Sequence, residues 1–167
     1  MKDGFSIHVA KESCKFSSAH FIAYPGFREP LHGHNYQIGV RVEGRLGDTG
    51  YVLDFGLIKR LTKEIADRLD ERTIIPALSD CLKIDQTGGQ LLVQYENDHF
   101  AFPLADVALL PISHSSAEEL AQFVWDELRA ALEVHNALAG IVSLQISVAE
   151  SPGQAAIFRQ AIEKVID

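Results

Sequence analysis

Two histidines separated by one glycine, His32-Gly33-His34, stand at the head of a segment in which Tyr36, Ile38, Val40 and Val42 alternate with Asn35, Gln37, Arg41 and Glu43. Alternation with period two marks a half-buried strand, whose successive side chains point to opposite faces. Counting back in steps of two from Val42 reaches His34 and His32, so both imidazoles extend the apolar row and are expected to face the buried side. Neutral imidazole is a good ligand for Zn²⁺, and a catalytic zinc takes three protein ligands and keeps one position open. His20, one short loop upstream, is the best placed third ligand. HxH alone reads more readily as two hydrogen-bonded core or surface histidines, and with His20 added the two readings stand about level.

A second chemical outlier is Glu150. Its parity matches Leu144, Ile146 and Val148, so a carboxylate occupies a place where the row would bury a hydrophobe. A buried anion is costly unless it is paired or hydrogen-bonded. A ligand edge with two N–H donors, such as a guanidine-like heterocycle, would satisfy both oxygens. The competing reading ends the strand at Ala149 and leaves Glu150 solvated in the Ser151-Pro152 turn.

The elements that must position these groups follow from periodicity. Phe5 to Phe21 reads as one strand with a bulge near Phe16, and YVLDF at 51–55 as a short strand. Leu57, Ile58, Leu61, Ile65 and Leu69 recur at three- and four-residue spacing, which predicts an amphipathic helix from about Phe55 to Asp70, capped by Asp54. Ser116 and Glu119 form a capping-box pattern for a second helix ending near His135. Between the helices, QLLVQYENDHFAFPL predicts a hairpin turning at Asn97-Asp98. Two further strands follow, one on Val142–Val148 and one around Ala156–Arg159. Strands, helix, strands, helix, strands argue for an α+β fold with an antiparallel sheet and two helices on one face.

Composition narrows the function classes. The 167 residues hold 15 Lys plus Arg against 23 Asp plus Glu, a formal net charge of −8, with 47% hydrophobic residues. That suits one globular domain. The acidic balance argues against a nucleic-acid surface, which needs clustered cations to neutralise phosphates. No stretch approaches the length of a signal core or a membrane span, so the expectation is a soluble cytoplasmic protein with no membrane partner. Cys14 and Cys81 do not form a CxxC motif, and both read as small apolar residues.

The ordered landmarks FSSAHF, HGHNY, G-x-V-L-D-F, RLDE, SSAEELAQFVWDEL and VAES resemble the 6-pyruvoyltetrahydropterin synthase and 6-carboxytetrahydropterin synthase family. The resemblance spans the chain except for about 78–112, which looks like a β-hairpin insertion in a single domain covering 1–167. It implies the T-fold, whose subunits join their sheets into a β-barrel. The corresponding partner expectations are a pterin substrate and a homo-oligomer, trimer, tetramer or hexamer, with sites between subunits. Carried over by position, it implies Zn²⁺ on His20, His32 and His34, a pterin anchor at Glu150, and Ser116 near the pterin.

Two positions depart from the family pattern. Where members usually have a general-base cysteine, this chain has Arg28, and Glu29 is the nearest replacement. Members with a glutamate in this loop are associated with cutting the dihydroneopterin side chain to give 6-hydroxymethyl-dihydropterin. The usual Asp-His pair reads Asp70-Glu71, so Glu29, Asp70 and Glu71 are the expected proton carriers, with His114 as an alternative. The resemblance thus implies a zinc-dependent lyase acting on 7,8-dihydroneopterin triphosphate or dihydroneopterin. It leaves open a 6-carboxytetrahydropterin synthase of deazapurine (queuosine) production, and a pterin- or purine-binding protein without catalysis.

Overall fold

The computed structural model describes residues 4–162. In chain order the strands are β1 (Phe5–Val9), β2 (Lys15–His20), β3 (Ala23–Tyr24), β4 (Phe27–Arg28), β5 (His32–Gly44), β6 (Arg72–Pro76), β7 (Lys83–Thr87), β8 (Gln90–Tyr95), β9 (Asp98–Pro103), β10 (Val107–Leu110), β11 (Ile141–Ser151) and β12 (Gln154–Ala161). The helices are α1 (Phe55–Leu69) and α2 (Ala117–Val134).

A seven-stranded sheet runs β10-β6-β2-β5-β11-β12, with β1 also paired to the long β5. The β5 ladders to β1, β2 and β11 are antiparallel, as is β11 with β12. Only β6 departs, pairing in parallel with both β2 and β10. Both helices pack on this sheet, α2 against β11 and β12 and α1 against β2. The α+β expectation with an antiparallel-rich sheet therefore holds.

The helix boundaries follow their caps. The Asp54 carboxylate accepts from the Gly56 amide at 2.7 Å, satisfying a first-turn N–H that has no partner within the helix. Ser116 caps α2 by accepting from the Glu119 amide at 3.3 Å. The return bond of a capping box is replaced, because the Glu119 carboxylate reaches further back to the amides of Ser113 and His114. Buried stripes through Ile58, Leu61, Ile65 and Leu69 on α1, and Leu120, Val124, Leu128 and Leu132 on α2, meet Tyr36, Ile38, Leu144 and Ile146 of the sheet. The Trp125 indole donates to the Leu144 carbonyl at 2.9 Å and ties α2 to β11.

Three local expectations are corrected. Phe5 to Phe21 is not one bulged strand, because a 3-10 turn at Glu12–Cys14 buries Cys14 and separates β1 from β2. YVLDF is not a strand: its residues turn into the Asp54 cap, burying Val52 and Leu53 without a ladder partner. The hairpin turns at Glu96-Asn97, since Tyr95 pairs with Asp98 and Glu96 takes the left-handed conformation with φ 48°. That hairpin is part of a three-stranded sheet, β7-β8-β9, with its own core of Leu91, Val93 and Tyr95 against Phe21, Ala23 and Ile75.

Truncating Leu128, fully buried at the centre of the helix layer, removes apolar contacts from every neighbour at once. Leu128→Ala should cost about 2–5 kcal/mol in denaturant unfolding. Val134→Ala, at a position 77% exposed on the same helix, should change stability by no more than about 0.5 kcal/mol.

Candidate metal centre and adjoining clefts

The β2–β5 ladder pairs His20 directly with His32, and His34 follows two residues along the same face. The three imidazole centroids lie 4.6 Å (His20–His32), 5.2 Å (His20–His34) and 4.9 Å (His32–His34) apart. One ligand nitrogen from each lies within 4.8 Å of the others. The row descends toward solvent, with His20 buried, His34 half-buried and His32 exposed. This corrects the expectation that His32 and His34 both face a buried side. The row leaves the core at the open end of the sheet, where an ion and its ligand can enter.

Two of the imidazoles are aimed by backbone carbonyls. His20 Nδ1 donates to the Ser115 carbonyl at 2.7 Å and His32 Nδ1 to the Pro30 carbonyl at 2.8 Å. With Nδ1 carrying the proton, Nε2 presents its lone pair, as in metal-binding histidines held by outer partners. His20 Nε2 is buried and meets no hydrogen-bond partner among the described residues. Burial lowers the His20 pKa, opposed by the Ser115 hydrogen bond and assisted by His32 and His34, so the ring favours the neutral form that binds metal. Buried polar atoms are nearly always satisfied. An orphaned imidazole nitrogen facing two more imidazoles therefore fits a divalent metal, and the three-nitrogen donor set is that of an open catalytic site.

Tyr36, next along the row, is fully buried, stacks on Phe16 and stands edge-on to His20 and His34. Its hydroxyl meets no partner among the described residues. Burial, then the carboxylates of Glu150 and Glu29, push its pKa upward, so it remains a protonated donor. Sequence reading took Tyr36 for a core residue, and apolar parity gave no signal of the unpartnered hydroxyl.

Glu150 lies within β11, not in a solvated turn, and the β11–β12 register shifts between Ala149 and Ser151. Such a bulge re-aims the side chain at the irregular residue. Glu150 is half-buried and lines a cleft of about 560 Å³ together with Lys15, His34, Gln37 and Gly153. Glu29, in the loop entering β5, accepts from the Ile22 amide through Oε2 at 3.0 Å, which leaves Oε1 without that bond.

The remaining expected residues are more dispersed. Asp70 accepts from the Ser17 amide at 2.7 Å, pinning the end of α1 to β2. Glu71 is exposed with φ 55° and lines a second cleft, about 460 Å³, with Ser17, His34 and Asp106. The Ser116 hydroxyl serves the α2 cap, while its neighbour Ser115 supplies the carbonyl that holds His20. His114 is engaged by Glu119 at 3.0 Å, at the start of α2. The structure thus gathers His20, His32 and His34 with Tyr36, Glu150 and Glu29, and leaves Asp70, Ser116 and His114 in structural bonds.

A family model described as 6-pyruvoyl tetrahydropterin synthase matches residues 8–161. A Methanocaldococcus jannaschii protein named putative 6-carboxy-5,6,7,8-tetrahydropterin synthase is 35% identical over 150 residues, 89% of this chain and 91% of its own length. The Plasmodium falciparum 6-pyruvoyl tetrahydropterin synthase structure superposes with a TM-score of 0.92 at 39% identity, covering 96% of this chain and all of that one. A Plasmodium vivax 6-pyruvoyltetrahydropterin synthase with a catalytic glutamate changed to alanine gives the same TM-score and coverage at 32% identity.

Metal-free protein titrated with Zn²⁺ or Co²⁺ should bind one equivalent per chain. Because His32 is exposed, His32→Ala should weaken that affinity by at least about 100-fold while leaving the fold intact by circular dichroism. Unchanged affinity would remove these residues as ligands.

Proposed function

The chain belongs to the 6-pyruvoyl tetrahydropterin synthase family, and on that footing we propose that it is a zinc-dependent lyase acting on the side chain of 7,8-dihydroneopterin triphosphate or dihydroneopterin. The observation that carries this reading is the three-histidine cluster with an orphaned buried Nε2, flanked by the half-buried carboxylates Glu29 and Glu150. Zn²⁺ held by His20, His32 and His34 supplies a Lewis acid that lowers the pKa of the substrate's side-chain hydroxyls.

The chain's own residues do the rest. Glu150 offers two acceptor oxygens to the paired N–H donors of a pterin edge, a charge-assisted contact that offsets the cost of its burial. The Tyr36 hydroxyl is a donor without a protein partner beside the imidazoles. Glu29 holds one oxygen on the Ile22 amide and moves a proton at Oε1. Glu71, in the cleft shared with His34, is the second proton carrier, and Asp70 fixes the chain that presents it. The catalytic glutamate of the Plasmodium vivax relative supports the role given to Glu29.

A glutamate base favours carbon–carbon cleavage. Glu29 removes the proton of a side-chain hydroxyl, the adjacent carbon–carbon bond breaks as that carbon becomes a carbonyl, and the proton returns to the carbon left on the pterin. The net charge of −8 supports a substrate with few phosphates, because an acidic chain repels a polyanion at long range; Arg72, in the cleft with His34 and Glu71, is the cation placed to meet a phosphate locally. A second reading, 6-carboxytetrahydropterin synthesis, is favoured by the name and coverage of the Methanocaldococcus jannaschii relative. In either case we propose a homo-oligomer, because among the described residues β10 and β12 leave open edges on the main sheet.

Zinc-loaded protein should be incubated with each substrate while tripolyphosphate and pterin products are followed. The lyase reading expects 6-hydroxymethyl-dihydropterin. A 6-carboxytetrahydropterin product would transfer the assignment, and pterin binding without turnover would overturn both. Glu29→Gln should lower kcat by about 10²- to 10⁴-fold with metal and pterin affinity retained. Glu150→Gln should weaken pterin binding by about tenfold or more without releasing zinc.

A further inference from the structure

Arg28 and Asp98 lie 70 residues apart, yet their side chains meet beside the loop that carries Glu29. Arg28 Nε and Nη2 both donate to Asp98 Oδ2, at 2.9 and 2.7 Å, and Nη1 donates to the Glu29 carbonyl at 2.7 Å. The guanidinium carbon lies 5.1 Å from the Phe100 ring centroid and 5.8 Å from that of Phe21, and those two rings stack on each other. The Arg28 side chain is 21% exposed, so water screens this pair less than an ordinary surface bridge.

The loop has little else to hold it. Residues 21–31 contribute only Phe21 and Ala23 to a core, while Tyr24, Phe27 and Leu31 are exposed. It closes on itself through Ile22 and Glu29, whose backbones bond at 2.9 Å and whose amide–carboxylate contact fixes Glu29 Oε2. At its root the Phe21 carbonyl accepts from Ser115 Oγ at 2.8 Å, and beyond that residue its outside hydrogen bonds lead to the β7-β8-β9 sheet: Arg28 to Asp98, and Tyr95 Oη donating to the Tyr24 carbonyl at 3.0 Å. One residue beyond Glu29, the Pro30 carbonyl holds His32. A single short stretch of backbone therefore aims both a proton carrier and a metal ligand.

We propose that the β7-β8-β9 sheet grips this loop through the Arg28–Asp98 pair, making Arg28 and Asp98 positioning residues for proton transfer at Glu29, an inference that rests on the role of Glu29 above. Arginine is suited to the task because its planar fork serves Asp98 and the Glu29 carbonyl together, which the single ammonium of lysine does not.

The test compares full-length zinc-loaded wild type with Asp98→Ala, alone and combined with Glu29→Gln. Asp98 is 52% exposed beside a hairpin turn, so its truncation spares the fold, and unchanged amide exchange in α1 verifies this. Exchange over residues 22–31 should become about tenfold faster. With Glu29 present, kcat should fall by about tenfold or more while KM and zinc content stay within about twofold. In the Glu29→Gln background the residual rate should not fall further.

Unchanged exchange over 22–31 overturns the grip. An equal loss of kcat in both backgrounds overturns the link to Glu29. A wild type without turnover defeats the lyase reading instead, and the exchange comparison still decides whether the sheet holds the loop.

Discussion

The register of β2 on β5 is the constraint from which the site follows. With His20 opposite His32, His34 falls two residues along and Tyr36 two further, all on one face. Side chains alternate with period two, so a slip of one residue would turn the β5 histidines away from His20. Contacts at two consecutive residues of β2, Phe16 and Ser17, hold that strand in place. Phe16 stacks on Tyr36 in the core, and at the rim the Asp70 carboxylate and Ser17 carbonyl join the end of α1 to β2 through the Ser17 and Glu71 amides. A hydrophobic face and a helix terminus thus enforce one pairing, and the imidazoles inherit their geometry from it.

Around that ladder the molecule divides its labour between two cores. The larger, between the helices and the main sheet, is built from Leu, Ile and Val on matching stripes and makes the scaffold rigid. The smaller lies under the three-stranded sheet and reaches Phe21 and Ala23, at the root of the loop that carries Glu29. His20, His32 and His34 rest on strands at the edge of the large core, and Glu29 rests on a loop leaning on the small one. For the proposed function, in which the site holds an ion and moves protons, this separation is an advantage. Ligand nitrogens need fixed distances, while a proton carrier needs one oxygen held and the other available, as the Ile22 amide arranges for Glu29.

Charge follows the same economy. The chain is acidic, and of the cations near the clefts Lys15 is paired with Glu12 and Arg28 with Asp98, while Arg72 lines the cleft of Glu71 and His34. Burial keeps His20 toward its neutral form, so an ion does not have to displace a proton from the deepest ligand.

Much of this was legible in the residues. Helical spacing marked α1 and α2 with Asp54 and Ser116 as their caps, and alternation marked β5 and β11 together with the histidines and Glu150 that break the apolar row. These patterns are local, because each residue's face is set by 3.6 or 2 residues per repeat. What lies far apart in the chain only the tertiary structure decided: His20 against His32, the Ser115 carbonyl on His20, the bulge at Glu150, and Arg28 on Asp98. The residues of YVLDF fit a strand by composition, yet no neighbouring strand pairs with them and they become the approach to a helix. Backbone carbonyls carry no residue identity, and ladder partners are chosen by packing across the whole domain. Residue types and their faces are therefore written in the sequence, while the contacts that turn three histidines and a glutamate into one site arise only when distant segments meet.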